Sequence, residues 1–337
     1  MRIGQNPNKD TLSISLDYTH QVIIPVYIPS TSDYFTESLS ILKLCISSLL
    51  KSSHPQTFIT IINNGCEETT SVYLKDLYDR ALVHELIATH NIGKINAVFK
   101  GLTGHRFPLV TVTDSDVLFR NGWQAATYTI FGAFDTAGYV ATSPNPKLLK
   151  YYTHQSIIGK LFSRKLVFKP TREPESLNQF AHSIGNNDFF AQVHKEKSLT
   201  LINNGVEAVL GAGHFCGTYK GSALYSLKNK FTQYTLGGDT DRLFLDQPIA
   251  AAGYDRFATT NTFTLHLGNQ MEPWMHITLE NVIDFKELLP IPLLPKKPNN
   301  KIVFLFREFL FKIISKEPFW SLFLKRKGLT AQQAKEY

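Results

Sequence analysis

Two carboxylates separated by one residue, Asp114 and Asp116, directly follow the β-branched run 109–113. That run predicts a short buried strand, which places both acids at its C-terminal tip. Carboxylate oxygens there can hold a hard divalent cation, and such a cation can bridge the two phosphates of a nucleotide diphosphate. Open α/β sheets also bind their ligands at the carboxyl ends of strands. The alternative interpretation is a pair of solvated acids in a turn.

The elements that must position these acids alternate between strand and helix. Strands are predicted at 22–27, 58–62, 83–89 and 109–113, and helices at 37–51, 70–82 and 96–102. This alternation predicts an α/β fold with a mainly parallel central sheet and helices on both faces. Pro25 lacks a backbone N–H, which places the first strand near an end or an edge of the sheet.

The second half of the chain follows a looser pattern. Residues 147–200 are rich in Lys, Arg and His without a clean hydrophobic period, so helices and loops over one end of the sheet are predicted there. A strand, a Gly-rich turn and a helix are predicted over 206–227. A loop followed by a helix is predicted over 237–253, and a further strand over 257–265.

The composition is that of a globular protein. Of the 337 residues, 43% are hydrophobic and 19% are charged, so a sizeable core can form and disorder is excluded for the main body. Cys45, Cys66 and Cys216 are far apart, and we expect them to be reduced, as in a cytosolic protein. Met1–Asp10 lacks the apolar core of a signal peptide. The sequence has no uninterrupted stretch of about 18 apolar residues, so no transmembrane helix is predicted.

Four motifs follow one another along the chain, and they are Ile24-Pro25-Val26-Tyr27, Asn91-Ile92-Gly93-Lys94-Ile95-Asn96-Ala97, Val112-Thr113-Asp114-Ser115-Asp116, and Gly238-Asp239-Thr240-Asp241-Arg242-Leu243 with the later Ala251-Ala252-Gly253-Tyr254. In their order and spacing they resemble the motifs of family 2 glycosyltransferases, which have the GT-A fold. The resemblance covers residues 22 to 267. The resemblance implies a GT-A domain over 1–290, with a nucleotide-binding half at about 20–120 and an acceptor half at about 121–290.

The resemblance also implies roles for the acids. Asp114 and Asp116 match the Asp-x-Asp that orients the nucleotide and an Mg²⁺ or Mn²⁺ ion. Asp239 matches the general base of inverting members, with Asp241 as the rival base and an N-cap as the structural alternative for Asp239. His266 matches a late histidine that completes the metal's coordination and favours Mn²⁺, although a histidine between leucines can equally be a packed structural residue.

The nucleotide-sugar site that the resemblance implies draws on several segments. Its members are Pro25, Tyr27, Asn63, Asn64, Asn91, Gly93, Lys94, Asn96, Asp114, Ser115, Gly213 and His214. Small residues in the Gly-rich run 211–217 allow the backbone to approach a ligand closely, although a simple tight turn is the alternative. Asn63 and Asn64 stand where the family usually has an acid, and this departure leaves the nucleotide base open.

The expected function is therefore a metal-dependent, non-processive glycosyltransferase with a nucleotide-diphosphate sugar as donor, a UDP-sugar first among the candidates. A glycan or lipid-linked acceptor and an inverting reaction are expected. The Gln-x-x-Arg-Trp motif of processive synthases does not occur in the sequence. A retaining transferase and a non-catalytic module that binds glycan or nucleotide are the alternatives.

The positive charge of the chain is concentrated near its C-terminus. Nine basic residues and two acids lie between Lys296 and Lys327, which accounts for the entire formal net charge of +7. The rest of the chain is formally neutral, so a negatively charged partner is expected at this segment. Nucleic acid is not the expected partner, because the segment is strongly apolar and the main body is neutral.

The segment 301–337 follows a Pro-rich linker at 291–300 and is predicted to begin with an amphipathic helix over 301–317. Basic residues opposite aromatic and aliphatic ones are typical of a helix in a membrane interface. We expect peripheral binding to the anionic cytoplasmic face of the cell membrane. The side chains expected to insert are Phe309, Leu310, Trp320 and Phe323. The alternative is a helix docked on the catalytic domain or on a second subunit.

Overall fold

The structure, a computed structural model, describes Gly4 and residues 17–295 and 301–337. Of Met1–Asp10 only Gly4 is among the described residues, and Lys296 and Lys297 lie outside them. The expectations for these residues therefore stay predictions. Over the described residues the strands are β1 (His20–Val26), β2 (Thr57–Asn64), β3 (Glu85–Thr89), β4 (Leu109–Thr113), β5 (Val117–Phe119), β6 (Ala137–Ala141), β7 (Leu166–Pro170), β8 (Lys197–Asn203), β9 (Val206–Val209), β10 (Cys216–Lys220), β11 (Asp255–Ala258) and β12 (Thr264–His266).

The α-helices connect these strands and complete the C-terminal end of the chain. They are α1 (Ser38–Ser52), α2 (Glu68–Asp79), α3 (Lys94–Gly101), α4 (Trp123–Ala133), α5 (His154–Gly159), α6 (Pro174–Ser183), α7 (Gln192–Glu196), α8 (Gly221–Tyr225), α9 (Gln247–Ala251), α10 (Pro273–Glu280), α11 (Lys301–Ile314), α12 (Phe319–Arg326) and α13 (Ala331–Glu336). A π-helical turn, Arg242–Asp246, leads into α9.

One ten-stranded sheet organises the protein, in the order β3-β2-β1-β4-β10-β6-β11-β9-β8-β7. The strands β3, β2, β1 and β4 are parallel, and β6 and β11 run in the same direction on the far side of the antiparallel β10. The predicted α/β fold with a mainly parallel central sheet is confirmed. The sheet is then extended by the antiparallel strands β9, β8 and β7.

Helices cover both faces of the sheet, as the alternation of side chains along β1 requires. Val22 and Ile24 pack with Leu42 and Ile46 of α1, whereas Ile23 between them packs with Val98 of α3. Pro25 lies beyond the part of β1 that pairs with β4, so its missing N–H interrupts no hydrogen bond on that side. Burial on both faces explains why residues 22–26 of β1 form a continuous apolar run.

Three local predictions differ from the structure. Residues 147–200 contribute β7 and most of β8 to the sheet, so the expectation of only helices and loops there is wrong. The antiparallel β10 occupies part of the predicted turn and helix over 206–227. The single strand predicted over 257–265 is instead β11 and β12, because the chain turns between them and the Phe263 N–H donates to the carbonyl of Thr142.

The C-terminal segment joins the core of the main body. Trp320, Phe323 and Leu324 of α12 are buried in the same hydrophobic cluster as Phe168 of β7 and Leu199 of β8. The Phe168 N–H donates to the carbonyl of Lys327 at 2.8 Å. The expectation that Trp320 and Phe323 insert into a membrane is therefore wrong. None of the helices in the described part of the chain is long and apolar enough to cross a lipid bilayer.

Because α12 is part of the core, Trp320→Ala should lower the free energy of unfolding by about 3–5 kcal/mol, as large-to-small changes of buried aromatic residues do. Leu322→Ala is the matched control in the same helix, since Leu322 is 63% exposed while Trp320 is 3% exposed. Urea denaturation followed by circular dichroism measures both variants. Equal stability of Trp320→Ala and the wild-type protein would contradict the packing of α12 into the core.

Candidate active site at the carboxyl end of the parallel strands

The strand order reverses between β1 and β4, and this is the position where open α/β sheets form a ligand crevice. β2 and β3 lie on one side of β1, and β4 lies on the other. Tyr27 follows β1, is partly exposed, and contacts the ring of Phe35 edge-on at 6.2 Å between centroids. Asp114 follows β4, and its N–H donates to the carbonyl of Phe215 at 2.8 Å.

A lysine joins two acids at the mouth of this crevice. Nζ of Lys94, the first residue of α3, lies 2.5 Å from Oδ1 of Asp114 and 3.6 Å from Oδ1 of Asp241. Burial disfavours charge on Lys94, but the two carboxylates outweigh burial and raise its pKa, so the ammonium stays charged. Burial raises the pKa of Asp114 although Lys94 opposes this, and nearby Asp116 adds to the rise.

The short pairing of β5 with β12 brings a histidine to the second acid of the Asp-x-Asp. His266 lies opposite Val117, and the Leu267 N–H donates to the carbonyl of Asp116 at 2.8 Å. Nε2 of His266 lies 3.4 Å from Oδ2 of Asp116, and its Nδ1 is hydrogen-bonded to Oγ of Ser183 at 2.9 Å. The sequence-predicted pair Asp116 and His266 is thus held face to face, whereas Asp114 is paired with Lys94.

This pair fits a divalent cation. Oδ1 of Asp116 is buried and has no hydrogen-bond partner, as expected for an oxygen that a ligand would complete. A carboxylate and an imidazole fixed by an outer hydrogen bond form a donor set that suits Mn²⁺. Within the described residues, no group of three or more His, Cys, Asp or Glu side chains is arranged to hold a metal ion, so Asp116 and His266 would supply only part of a cation's coordination.

The two candidate bases occupy different positions. Asp241 lies at the cluster, 3.6 Å from Lys94, with its side chain about one-third exposed. Asp239 is 66% exposed and pairs with Arg242 at 2.8 Å. It has a φ of 55° and follows two glycines that also have positive φ, so it lies in a tight turn. The structure brings Asp241 and not Asp239 to the carboxylates at the end of β4.

The asparagines predicted to contact the nucleotide organise the loops beside it. Both the oxygen and the nitrogen of Asn64 are used, accepting from the Ile92 N–H at 3.0 Å and donating to Oδ1 of Asn91 at 3.3 Å. Asn63 donates to Oγ of Ser71 and accepts from the Cys66 N–H. These bonds fix the ends of β2 and β3 relative to the start of α3, where Lys94 lies.

A segment that the motifs did not include closes over the start of α3. Asn96 accepts from the Thr232 N–H at 2.9 Å and donates to the Thr232 carbonyl at 2.7 Å. The Lys94 N–H donates to the carbonyl of Thr235 at 3.2 Å. Gly93 has a φ of 86°, and a Cβ there would lie 2.7 Å from Cα of Thr235, so only glycine permits this approach.

The Gly-rich turn 211–217 covers a buried charge pair that the sequence analysis did not identify. Asp246 and Arg256 are almost fully buried, with 3.1 Å between Oδ1 and Nη2. Nε2 of His214 lies 3.2 Å from Oδ2 of Asp246, and the carbonyl of Gly213 accepts from the hydroxyl of Tyr139 at 2.6 Å. The Asp246–Arg256 pair thus contacts the Gly-rich turn through His214.

Burial determines the protonation of this group. It raises the pKa of Asp246 to about 7, although the Arg256 guanidinium favours the carboxylate. Burial, together with the charge of Arg256, lowers the pKa of His214 to about 3, so His214 is neutral at neutral pH. A neutral imidazole beside the turn can donate or accept a hydrogen bond. Ser115, half-buried, lies between the two acids of the Asp-x-Asp.

No protein-family model matches the chain, and a search of curated proteins finds no relative. Among solved structures, the chain is similar to the mannosyltransferase PcManGT from Pyrobaculum calidifontis in complex with GDP-Man and Mn²⁺, with 15% identity, a TM-score of 0.42, and coverage of 76% of this chain and 59% of that one. It is also similar to S. aureus TarS 1–349, with 12% identity, a TM-score of 0.41, and coverage of 74% and 60%. Another S. aureus TarS structure shows 16% identity and a TM-score of 0.29, and the match covers 36% of this chain and 21% of that one. The chain thus spans at most about three-fifths of these proteins.

Lys94→Met should lower the free energy of unfolding by about 1–3 kcal/mol near neutral pH, because the acids lose their partner. Loss of Lys94 raises the already elevated pKa of Asp114 further. When a group has a higher pKa in the folded state than in the unfolded state, its protonation stabilises the folded protein. This stabilisation is complete below the unfolded-state pKa and is lost as pH rises through the folded-state pKa. The deficit of Lys94→Met should therefore shrink as pH falls toward about 4.

The matched control is Lys100→Met, which removes an exposed lysine from the same helix. Thermal unfolding of both variants from acidic to neutral pH measures the effect. A Lys94→Met deficit that does not change with pH would show that Lys94 contributes packing and not charge.

Proposed function

We propose that this protein is a glycosyltransferase that moves a sugar from a nucleotide-diphosphate sugar to a hydroxyl group of an acceptor. One observation carries the proposal: Lys94, Asp114 and Asp241 converge with the Asp116–His266 pair at the strand-order reversal. The order of the four sequence motifs supports the same function. A diphosphate needs positive charge beside it, and this crevice offers the Lys94 ammonium together with a pair of side chains suited to a cation.

The donor is proposed to lie across the ends of β1 and β4. Asp116 and His266 would hold Mn²⁺ or Mg²⁺, which when bound stabilises negative charge on the diphosphate. Lys94 provides a second positive charge on the side of Asp114. The exposed ring of Tyr27 offers a surface on which a nucleobase can stack. The Gly-rich turn with Gly213 and His214 would border the sugar.

Transfer then requires a base for the acceptor hydroxyl, and we assign this role to Asp241. The acceptor oxygen forms a bond to the anomeric carbon while the bond from that carbon to the diphosphate oxygen breaks. The bonding electron pair leaves with the nucleoside diphosphate, and the hydroxyl proton passes to the Asp241 carboxylate. Attack opposite the leaving group inverts the anomeric configuration. The acceptor is proposed to be a glycan or a lipid-linked glycan that receives one sugar per encounter.

Donor binding should depend on both the cation and Asp116. In thermal-shift titrations with UDP- and GDP-sugars, the correct donor should raise the melting temperature in the presence of Mn²⁺ and much less in its absence. Asp116→Asn should abolish the Mn²⁺-dependent part of this shift. Ser183→Ala should weaken Mn²⁺ affinity by about tenfold, because Ser183 orients His266.

Asp76→Asn serves as the control, since it removes an exposed acid that pairs with Arg80 at the end of α2. Donor binding that requires Mn²⁺ but is the same in Asp116→Asn and the wild-type protein would place the cation elsewhere. The absence of any shift across the panel, with and without Mn²⁺, would argue against a nucleotide-sugar donor.

The two candidate bases can be separated by turnover. Asp241→Asn should lower kcat by about 10²- to 10⁴-fold, since proton removal matters in the transition state. Its donor affinity should change little, because donor binding requires no base. Asp239→Asn should retain nearly full activity, as Asp239 is exposed and paired with Arg242. The opposite pattern would make Asp239 the base. NMR of the product's anomeric proton distinguishes inversion from retention.

A further inference from the structure

Helix α11 is apolar on two opposite sides. Phe304 contacts the ring of His154 in α5 at 5.1 Å between centroids, and Phe311 and Ile314 pack against the core cluster. Between them Arg307 donates to Oε1 of Gln155 at 3.2 Å. This side attaches α11 to the main body.

The opposite side carries a continuous exposed stripe. Its residues recur every three or four positions and thus share one face of the helix, and they are Ile302, Leu305, Phe306, Phe309 and Ile313. Ile302 is 80% exposed, and Phe306 and Phe309 are each 60% exposed. Aromatic side chains with this much exposed surface on a helix already docked by its other side indicate that something else covers them.

Two neighbouring elements add further exposed apolar residues. Phe319 and Leu322 of α12 are more than half exposed, although Trp320 and Phe323 of the same helix are buried. Phe162, in the loop after α5, is 78% exposed, and the Arg326 guanidinium lies 5.4 Å from its ring centroid. We call the stripe on α11, together with Phe319, Leu322 and Phe162, the C-terminal apolar surface.

Basic residues border the C-terminal apolar surface. Lys312, Lys316, Lys325 and Arg326 are exposed beside it, and Lys160, Arg164 and Lys165 are exposed in the loop that carries Phe162. Residues 301–327 contain seven basic residues and two acids, a formal charge of +5. Positive charge therefore surrounds the exposed aromatic side chains of the C-terminal apolar surface.

We infer that the C-terminal apolar surface docks on an anionic lipid bilayer, with α11 lying in the plane of the membrane. Exposed aromatic and aliphatic side chains insert, and the surrounding lysines and arginines attract acidic headgroups. A second copy of this chain is a poorer occupant, because each copy would bring the same positive charge to the contact.

The position of α11 connects this surface with the candidate active site. At the end of α11, the Lys150 ammonium donates to the carbonyl of Ser315. Two residues further, the Tyr152 hydroxyl accepts from Arg242, and Arg242 is the residue that follows Asp241. Docking would therefore hold the crevice near the bilayer, as a lipid-linked acceptor requires. This last step depends on the proposed transferase function, whereas membrane binding itself does not.

Vesicle cosedimentation of the full-length protein, without nucleotide or metal, tests the inference. The protein should bind vesicles that contain phosphatidylglycerol, bind pure phosphatidylcholine vesicles much more weakly, and lose affinity with added salt. Phe306→Ser/Phe309→Ser should weaken binding at least about 100-fold through lost insertion. Lys312→Gln/Lys316→Gln should weaken it about 30-fold at low salt.

Ile277→Ser is the matched control, since Ile277 is equally exposed on α10 and lies outside the C-terminal apolar surface. Its binding should equal that of the wild-type protein, and all variants should keep the wild-type melting temperature because the replaced side chains are exposed. Failure of the wild-type protein to bind acidic vesicles would overturn the inference, as would wild-type binding by Phe306→Ser/Phe309→Ser. A dimer in sedimentation analysis that the phenylalanine replacements dissociate would assign the surface to a second copy instead.

Discussion

Three carboxylates, those of Asp114, Asp116 and Asp241, repel one another at the end of β4, and the Lys94 ammonium holds this group together. The repulsion is strong because the groups are partly withdrawn from water, where charges interact at a lower effective dielectric constant. Lys94 can reach both Asp114 and Asp241 only if α3 begins where it does. The site therefore depends on how the chain enters α3.

Several residues that contact none of these carboxylates have the role of fixing the path of the chain into α3. Gly93 allows the backbone to approach Thr235, and Asn96 holds Thr232 by two hydrogen bonds. Together they fix the segment that leads to Asp241. The network of Asn64 and Asn91 fixes the same entry from the other side. The polar residues around the crevice thus position a lysine between acids that are far apart in the sequence.

The parallel part of the fold could be predicted from the sequence because its signals are local. A β-branched run followed by Asp114 and Asp116 predicts both the strand and the position of the acids. The pairing of Lys94 with Asp241 could not be predicted, since it depends on a loop folding back onto α3. Asp246 and Arg256 gave no signal for a similar reason: charged residues are exposed unless a partner is buried with them, and that partner is visible only in three dimensions. Strand β10 escaped prediction because a short strand after a Gly-rich run resembles a turn.

The C-terminal segment shows why an amphipathic pattern alone does not decide between docking and membrane binding. A helix with one apolar face can bury it against protein or against lipid, and the amphipathic pattern is the same in both cases. In this protein α12 buries Trp320 and Phe323 in the core, while α11 packs the half-buried Phe304 and Phe311 against the main body and exposes Phe306 and Phe309. Docking uses one side of α11 and leaves the opposite side open. The two interpretations are therefore compatible, because the docked side fixes the orientation in which the exposed side can meet a second surface.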